Sequence, residues 1–412
     1  MAIARLSPDG APPSAGKAVG EALHHLNVGA DLPVDVLTDA FGSILESPAG
    51  HARDAQLGAL LSGLMARGQG PNADQVTGLI RTALSVDRPQ PIKVDLPPGE
   101  RLVCVAGSGK KGVKTMNIST LACIVASSLG AYVAKPASRS TSSVSGSADF
   151  ASCIGIQVGN VQHSVNMLKA TGLGIFSIEN MVPGFDNVYG QRMFGPTPLS
   201  FALPALLCPV EPDCLLYGLS HPDVALSLEV FERLGYDNVM VVTSTDDDVH
   251  FIDELGMFKR NYVGGRRNGF TGNIKQFDPL SELGLPRYRV ADIAAAATMQ
   301  ANVDLGVQVL EGKVEGAPRD IVAINAATIL YLAGKVEERR EGFYRALGAI
   351  NSGAARYKLA SLKIRSNPDS DFLSLLAGAR FENTEEDLRS PSRKRGRLVR
   401  KLKEAAVKWG SS

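Results

Sequence analysis

The chain has 412 residues, with 43 lysines and arginines against 42 aspartates and glutamates, so its formal net charge is +1 at pH 7. This length suffices for a large domain and a smaller one. The balanced charge excludes a protein that binds polyanions over its whole surface. The five cysteines lie mostly in apolar segments without the paired spacing of metal ligands, which predicts free thiols in a reducing compartment. Neither a signal peptide nor a membrane span is evident, so we expect a cytoplasmic protein.

Apolar residues at helical spacing dominate the N-terminal part of the chain. Residues 1–20, rich in Ala, Pro, Gly and Ser, are expected to form a flexible arm. Residues 21–92 predict a small helical domain, in which Asn72-Ala73-Asp74-Gln75 resembles a cap at the start of a helix. The proline-rich segment 88–98 links this domain to the rest of the chain.

Residues 99–380 alternate between apolar strands and helical segments. The predicted strands are 101–106, 131–134, 173–178, 214–219 and 238–243, and the predicted helices include 118–129, 222–234 and 317–333. This alternation predicts an α/β fold with helices on both faces of a central, mostly parallel sheet. Ligands of such sheets bind beyond the carboxyl ends of the strands. Residues 180–212, rich in Pro and Gly, indicate an excursion from the sheet.

The last residues, 381–412, form a charged tail. Eight of the fifteen residues in 389–403 are basic, and they follow an acidic segment. A solvated tail is one interpretation, and an electrostatic patch for nucleic acid is the other.

Two polar loops follow the first two predicted strands. The first strand ends in Gly107-Ser108-Gly109-Lys110-Lys111, and Asn117-Ile118-Ser119-Thr120 then opens a helix. Glycines let backbone N–H groups approach an anion closely, and a helix start adds free N–H groups and a positive dipole end. The second strand ends in Lys135, before a serine-rich loop that supplies hydroxyl donors. Together the loops predict a site for a ligand with two phosphate groups.

These motifs resemble those of anthranilate phosphoribosyltransferases, within the wider class of nucleoside-phosphorylase-like transferases. The family pattern is Gly-Thr-Gly-Gly-Asp, Asn-Ile-Ser-Thr, Lys-His-Gly-Asn-Arg-Ser and Ser-Gly-Ser-Ala-Asp. This chain has the first two motifs quoted above, then Lys135-Pro136-Ala137-Ser138-Arg139-Ser140 and Ser145-Gly146-Ser147-Ala148-Asp149. The resemblance covers residues from about 25 to about 365. It implies a small helical domain completed by part of 180–212, a large α/β domain, and a homodimer formed through the helical domain.

The resemblance implies that 5-phosphoribosyl-1-pyrophosphate (PRPP) is the donor and Mg²⁺ the cofactor. The residues implied to bind PRPP are Gly107, Gly109, Lys110, Lys111, Thr115, Asn117, Ser119, Thr120, Lys135, Ser143 and Ser147. Lys135 and Arg192 are implied to be catalytic. The residues implied to contact the acceptor are Gly107, Ser138 and Arg192, of which Arg192 aligns with the arginine that binds the acceptor carboxylate.

Acidic residues after the strand at 238–243 are candidate metal ligands, since Mg²⁺ prefers carboxylate oxygens. The family has an Asp-Glu pair here, which aligns with Asp247 and Asp248, and its serine matching Ser119 contacts a second metal ion. Asp253 and Glu254 are the competing pair.

The chain departs from the family in the turn and in the acceptor pocket. Lys110 and Lys111 replace Gly-Asp, which leaves two interpretations: tighter binding of pyrophosphate, or a lysine that closes over an empty site. Pro136-Ala137-Ser138 replaces His-Gly-Asn, and Pro204-Ala205 replaces Gly-Pro in the segment that closes the acceptor pocket. The acceptor pocket is therefore expected to be divergent.

We expect Mg²⁺-dependent transfer of the phosphoribosyl group from PRPP to a small aromatic, carboxylate-bearing acceptor, with release of pyrophosphate. One alternative is a non-catalytic member of the superfamily that binds nucleic acid through Lys110, Lys111, Lys114 and the basic tail. A nucleoside phosphorylase is the other.

Overall fold

The computed structural model describes residues 13–139 and 146–367. Contacts between residues group these described residues into one compact unit. Ser143 of the serine-rich loop and the charged tail at 381–412 lie outside the described residues. Every described helix is too short or too polar to span a bilayer.

Four helices form the N-terminal part. They are α1 (Pro13–Asn27), α2 (Val34–Glu46), α3 (His51–Ala66) and α4 (Ala73–Asp87). Residues 13–20, expected in a flexible arm, are helical instead, because the apolar side chains of Val19 and Ala22 are buried where α1 packs against α2 and α3. The predicted cap of α4 is confirmed: Asn72 Oδ1 accepts a hydrogen bond of 2.9 Å from the backbone N–H of Gln75.

Strands and helices alternate through the remaining described residues. The strands are β1 (Leu102–Gly107), β2 (Tyr132–Ala137), β3 (Leu173–Ser177), β4 (Cys214–Gly218), β5 (Val239–Thr245), β6 (Arg260–Arg267), β7 (Phe270–Thr271) and β8 (Lys275–Gln276). The helices are α5 (Ile118–Ser128), α6 (Ser147–Cys153), α7 (Val161–Thr171), α8 (Pro183–Tyr189), α9 (Leu203–Leu206), α10 (Val224–Arg233), α11 (Pro279–Leu283), α12 (Met299–Leu310), α13 (Ala317–Leu332), α14 (Arg339–Asn351) and α15 (Ala354–Ser366), with 3₁₀ turns at Pro198–Phe201 and Val290–Ile293.

In the described part of the chain these strands form a single sheet in the order β3-β2-β1-β4-β5-β6-β7, and β8 pairs with β6. Neighbours among β1 to β5 run parallel, whereas β6 is antiparallel to β5. The predicted α/β fold with a mostly parallel central sheet is confirmed.

The sheet separates two hydrophobic cores. Along β1, Val103 and Val105 face a core built with α5, α13, α14 and α15. Leu102, Cys104 and Ala106 alternate with them and face the core that contains the N-terminal helices and α10. Both faces are apolar because side chains alternate along a strand and a parallel sheet is covered on both sides.

Part of the 180–212 excursion contacts the N-terminal helices. Helix α8 packs against α4, and the carboxylate of Asp87 accepts hydrogen bonds of 2.8 Å from the backbone N–H groups of Gly184 and Phe185. The carboxyl ends of β1, β2, β4 and β5 meet at one edge of the sheet, so the loops that follow them surround a common space.

Candidate active site

The turn after β1 has a fixed shape. The backbone N–H of Ser108 donates to the carbonyl of Gly218 on the neighbouring strand at 2.8 Å, and the Ser108 hydroxyl accepts from the backbone N–H of Ser220 at 2.8 Å. Gly109 and Lys110 both have left-handed backbone angles, with φ of 63° and 59°. A lysine in this conformation is unusual, since the left-handed region favours glycine.

Asp253 approaches this turn so closely that glycine is required at two strand ends. Its Oδ2 accepts a hydrogen bond of 2.9 Å from the backbone N–H of Gly109. A Cβ atom on Gly107 would lie 2.3 Å from Asp253 Oδ2, and one on Gly218 would lie 1.6 Å from the Asp253 carbonyl oxygen. Gly107, predicted to let a phosphate approach, therefore also makes room for a carboxylate.

Lys111 is held between two acidic side chains. Its Nζ lies 2.9 Å from Asp253 Oδ1 and 3.0 Å from Glu254 Oε2, and it donates a hydrogen bond of 2.9 Å to the hydroxyl of Thr115. The Asp253 and Glu254 side chains are only 7% and 6% exposed. The predicted binding residues Lys111 and Thr115 are thus brought together.

Burial and charge act in opposite directions within this cluster. Desolvation disfavours the charge on Lys111, but Asp253 and Glu254 outweigh it and raise the pKa of the ammonium. Desolvation likewise opposes the charge on Asp253, but Lys111 prevails and lowers its pKa. Burial and the adjacent Asp253 raise the pKa of Glu254 to about 7.

Lys135 and Ser119 are also brought together. The Lys135 side chain is 3% exposed, and its Nζ donates a hydrogen bond of 3.1 Å to the Ser119 hydroxyl in the first turn of α5. Among the described residues no carboxylate lies within ion-pairing distance of Lys135. Within the described residues, the buried hydroxyl of Thr120 also lacks a hydrogen-bond partner. Asn117 precedes the helix, and its Oδ1 accepts from the side chain of Asn302 at 2.7 Å.

Lys110 contacts an aromatic side chain that sequence reasoning missed. Its ammonium bonds to the hydroxyl of Tyr189 and lies 4.2 Å from the centre of the tyrosine ring. The Tyr189 hydroxyl in turn lies 2.7 Å from that of Thr197. Burial lowers the pKa of Lys110 to about 7 and raises that of Tyr189 to about 12. Nothing in the sequence distinguishes Tyr189 from other aromatic residues of the excursion.

Ser138 and Ser147, the two predicted residues of the second loop that the structure describes, lie near one another. Ser147 opens α6, and the backbone N–H of Ala148 donates to the carbonyl of Ser138 at 3.0 Å. Ser138 is exposed. The backbone N–H of Arg139 donates to Glu179 Oε1 at 2.6 Å, which ties the loop to the end of β3.

Arg192 interacts with the N-terminal helices. Its Nε donates to Asp54 Oδ1 on α3 at 3.3 Å, and its Nη1 donates to the carbonyl of Gly190 at 2.8 Å. The guanidinium is 31% exposed. No contact joins it to Lys135 or Ser119 in the described residues.

The two candidate acidic pairs have different surroundings. Asp247 Oδ2 lies 2.6 Å from Nδ1 of His250, and bonds from that side chain and from nearby backbone N–H groups lower the pKa of Asp247. Asp248 is paired with Arg260. Asp253 and its neighbour Glu254 instead contact the turn itself. The assignment of Asp247 and Asp248 as metal ligands stays a prediction, and the oxygens of the competing pair are bonded to Lys111.

A ready-made metal site is absent from the described residues, which hold no group of three or more His, Cys, Asp and Glu side chains suited to one ion. Hydroxyl oxygens of the protein and oxygens of a ligand are further donors that a hard cation accepts.

Comparison with known sequences links this site to one family. The model of the "Glycosyl transferase family, a/b domain" matches residues 99–356. An anthranilate phosphoribosyltransferase of Verminephrobacter eiseniae is 32% identical over 324 residues, which are 77% of this chain and 90% of that protein. One from Rhodopseudomonas palustris is 32% identical over 338 residues, 81% of this chain and 94% of that protein.

Solved structures share the fold. Anthranilate phosphoribosyltransferase from Thermus thermophilus has a TM-score of 0.68 and 24% identity, covering 84% of this chain and 99% of its own. The Saccharomyces cerevisiae enzyme in complex with PRPP and Mg has a TM-score of 0.70 and 20% identity, covering 86% of this chain and 99% of its own.

Proposed function

The chain belongs to the family of anthranilate phosphoribosyltransferases, and from this membership we propose that it transfers the phosphoribosyl group of PRPP to a small aromatic acceptor. The acceptor carries a carboxylate, and pyrophosphate is released. The protein is accordingly a glycosyltransferase of the phosphoribosyltransferase type. Its acceptor differs from anthranilate, because Pro136-Ala137-Ser138 stands where the family pattern has His-Gly-Asn.

The buried ammonium of Lys135 is the observation that carries this proposal. It lies at the carboxyl end of β2, and its hydrogen-bond partner, the Ser119 hydroxyl, is neutral. A buried cation without a carboxylate partner among the described residues is costly unless an anion joins it. The start of α5 adjoins it and adds the positive end of a helix dipole. A phosphate group of PRPP would pair with the Lys135 ammonium and with the positive end of the α5 dipole.

Mg²⁺ is the cofactor that accompanies PRPP in the yeast relative, and we extend it to this chain. The Ser119 hydroxyl, together with phosphate oxygens of PRPP, suits a hard cation that takes few protein ligands. A bound ion would neutralise charge on the departing pyrophosphate. The Asp253–Glu254 pair also has suitable oxygens, but these are already bonded to Lys111.

The protein's own residues position the reactants. Lys135 and the start of α5 hold the phosphates of the donor, and they stabilise the negative charge that develops on pyrophosphate. Arg192 binds the acceptor carboxylate when it exchanges its contact with Asp54 for the ligand. Positioning of the two reactants supplies much of the rate enhancement in such a transfer.

The contacts of the turn argue against the nucleic-acid-binding alternative. Lys111 is bonded to buried carboxylates, and Lys110 is bonded to Tyr189. Of the three lysines proposed for that role, only Lys114 is exposed. A polyanion approaching this turn from solvent would therefore meet a single exposed lysine among these three.

Calorimetric titration with PRPP, with and without Mg²⁺, tests the proposal. We expect saturable, Mg²⁺-dependent binding to the wild type and binding weakened by at least about tenfold in Lys135→Ala. The matched control is Lys169→Ala, which removes an exposed lysine from the last turn of α7. A screen of aromatic carboxylates by pyrophosphate release then identifies the acceptor. Absence of PRPP binding under every condition would overturn the proposal.

A further inference from the structure

Lys111 occupies a site made only of oxygen atoms. Its Nζ has Asp253 Oδ1 at 2.9 Å, Glu254 Oε2 at 3.0 Å and Oε1 at 3.3 Å, and the Thr115 hydroxyl at 2.9 Å. Two carboxylates and a hydroxyl are also the ligand types that a hard divalent cation selects. The lysine ammonium is a compact point charge, which lets it bond to several oxygens at once.

A divalent cation does not fit beside this ammonium. Mg²⁺ binds oxygens at about 2.0–2.1 Å and tolerates little distortion, so an ion among the same oxygens would overlap Nζ. The two carboxylates are almost completely buried, and both pair with the same ammonium. A metal ion would first have to displace the Lys111 side chain, which would leave the lysine ammonium without its carboxylate partners.

The backbone fixes Lys111 in this position. The left-handed residues Gly109 and Lys110 immediately precede it, and Asp253 is bonded to the backbone N–H of Gly109 at 2.9 Å. Thr115, four residues further on, pairs in an isolated bridge with Ala294. Both ends of the turn are therefore anchored, and the ammonium is directed at the acidic pair by the fold itself.

We propose that the Lys111 ammonium permanently takes the place of a divalent cation at the Asp253–Glu254 pair, so that the bound donor retains one divalent cation per chain rather than two. This inference rests on the proposed function for the identity of the donor. Ser119 and the phosphates of PRPP would hold the remaining ion. The lysine thus supplies the acidic pair with a positive charge that chelation cannot remove.

Counting protein-bound Mn²⁺, as a stand-in for Mg²⁺, tests this assignment. We expect equilibrium dialysis of the full chain at saturating PRPP to give one Mn²⁺ per wild-type chain and two per Lys111→Met chain. Without PRPP, Lys111→Met gains an Mn²⁺ site that the wild type lacks. The control is Lys335→Met, which breaks a comparable lysine–carboxylate pair with Glu100 (2.6 Å) but leaves only one carboxylate. The Lys335→Met variant should gain no Mn²⁺ site.

The outcomes separate this inference from the proposed function. Two Mn²⁺ per wild-type chain with PRPP, or a folded Lys111→Met that gains no site, would overturn the inference and leave the transferase proposal intact. Failure of PRPP to bind would overturn the transferase proposal, and the titration without PRPP would still decide whether Lys111 fills a cation site. Circular dichroism reports whether Lys111→Met is folded. If the variant is not folded, the number of Mn²⁺ ions bound per wild-type chain with PRPP decides whether the inference holds.

Discussion

The ammonium of Lys135 donates a hydrogen bond of 3.1 Å to the hydroxyl of Ser119, and this bond joins the end of β2 to the first turn of α5. The two residues are sixteen positions apart and belong to different predicted motifs. Their contact turns two loops into one site, with a full charge on one side and a helix start on the other.

Lys135→Ala should weaken PRPP binding strongly. Hydrogen bonds to a charged group contribute about 1.5–3 kcal/mol, which corresponds to roughly a ten- to hundredfold increase in Kd. Ser119→Ala should have a smaller effect without Mg²⁺ and a larger one with it. Titration calorimetry measures both, with Lys169→Ala as the control. Equal affinities for Lys135→Ala and the wild type would exclude Lys135 from the donor site.

Gly218→Ala should destabilise the protein. The added Cβ would lie 1.6 Å from the carbonyl oxygen of Asp253, so the backbone must shift, at a cost of about 3 kcal/mol. Gly265→Ala in β6 is the control, because its Cβ would have the carbonyl oxygen of Val239 as its nearest neighbour, at 3.9 Å, which is ordinary contact. Urea denaturation gives the free energy of unfolding of each variant. A Gly218→Ala protein as stable as Gly265→Ala would show that the segment around Asp253 adapts freely.

Lys110→Met should stabilise the protein, and the gain should depend on pH. Burial lowers the pKa of Lys110 from 10.5 to about 7, so the unfolded chain binds the extra proton between these two values. The free energy of unfolding of the wild type, relative to the variant, therefore rises with pH across this window. Below pH 7 lysine is protonated in both states and its burial cost is fully present.

Urea denaturation at pH 6.5, 8 and 9.5 tests this expectation. The advantage of Lys110→Met should be largest at pH 6.5 and should shrink steadily towards pH 9.5. A pH-independent difference between the two proteins would show that the contacts with Tyr189 keep Lys110 charged throughout.

Arg192→Ala should separate donor binding from transfer. Its contacts are with Asp54 and Gly190, so PRPP affinity should stay within about twofold of the wild type, by the small energies of partly exposed pairs. The KM for a carboxylate-bearing acceptor should rise by at least roughly tenfold, because a charged hydrogen bond is lost. An assay of pyrophosphate release measures this KM. A change in PRPP affinity alone would place Arg192 in the donor site.

Asp247→Asn and Asp248→Asn should leave Mg²⁺-dependent PRPP binding within about twofold of the wild type. Their carboxylates are bonded to His250 and Arg260, and exposed pairs of this kind contribute about 0–1 kcal/mol. Asp253→Asn should weaken PRPP binding, because it disturbs both Lys111 and the backbone of Gly109. The reverse ranking in titration calorimetry would identify Asp247 and Asp248 as the functional pair.

The sequence predicts β1 to β5 closely but misses β6, β7 and β8. Among the five predicted strands, the largest discrepancy is at β2 and has a physical reason. The sequence predicts that β2 ends at residue 134, but the strand continues to Ala137, through Pro136. Its pairing with β1 ends at Ala134, while its pairing with β3 runs on to Ala137. Pro136 lacks an N–H group, and it is tolerated where a ladder is present on only one side.

The site can be predicted only in part. Lys135, Ser119 and Thr115 lie in local motifs whose spacing is readable from the chain. The contact between Lys111 and Glu254 spans 143 positions and depends on how the loop after β5 folds back over the turn. The two acidic pairs lie within one short loop, and spacing alone does not distinguish them.

The packing of the N-terminal helices has a consequence for dissection of the protein. The matched region, residues 99–356, contains the whole described sheet, yet α4 packs against α8 and α10 within that region. Excision of the matched region alone would expose apolar side chains of α8 and α10 that share a core with the N-terminal helices. A truncated protein of this kind should therefore be less stable and less soluble than the full chain.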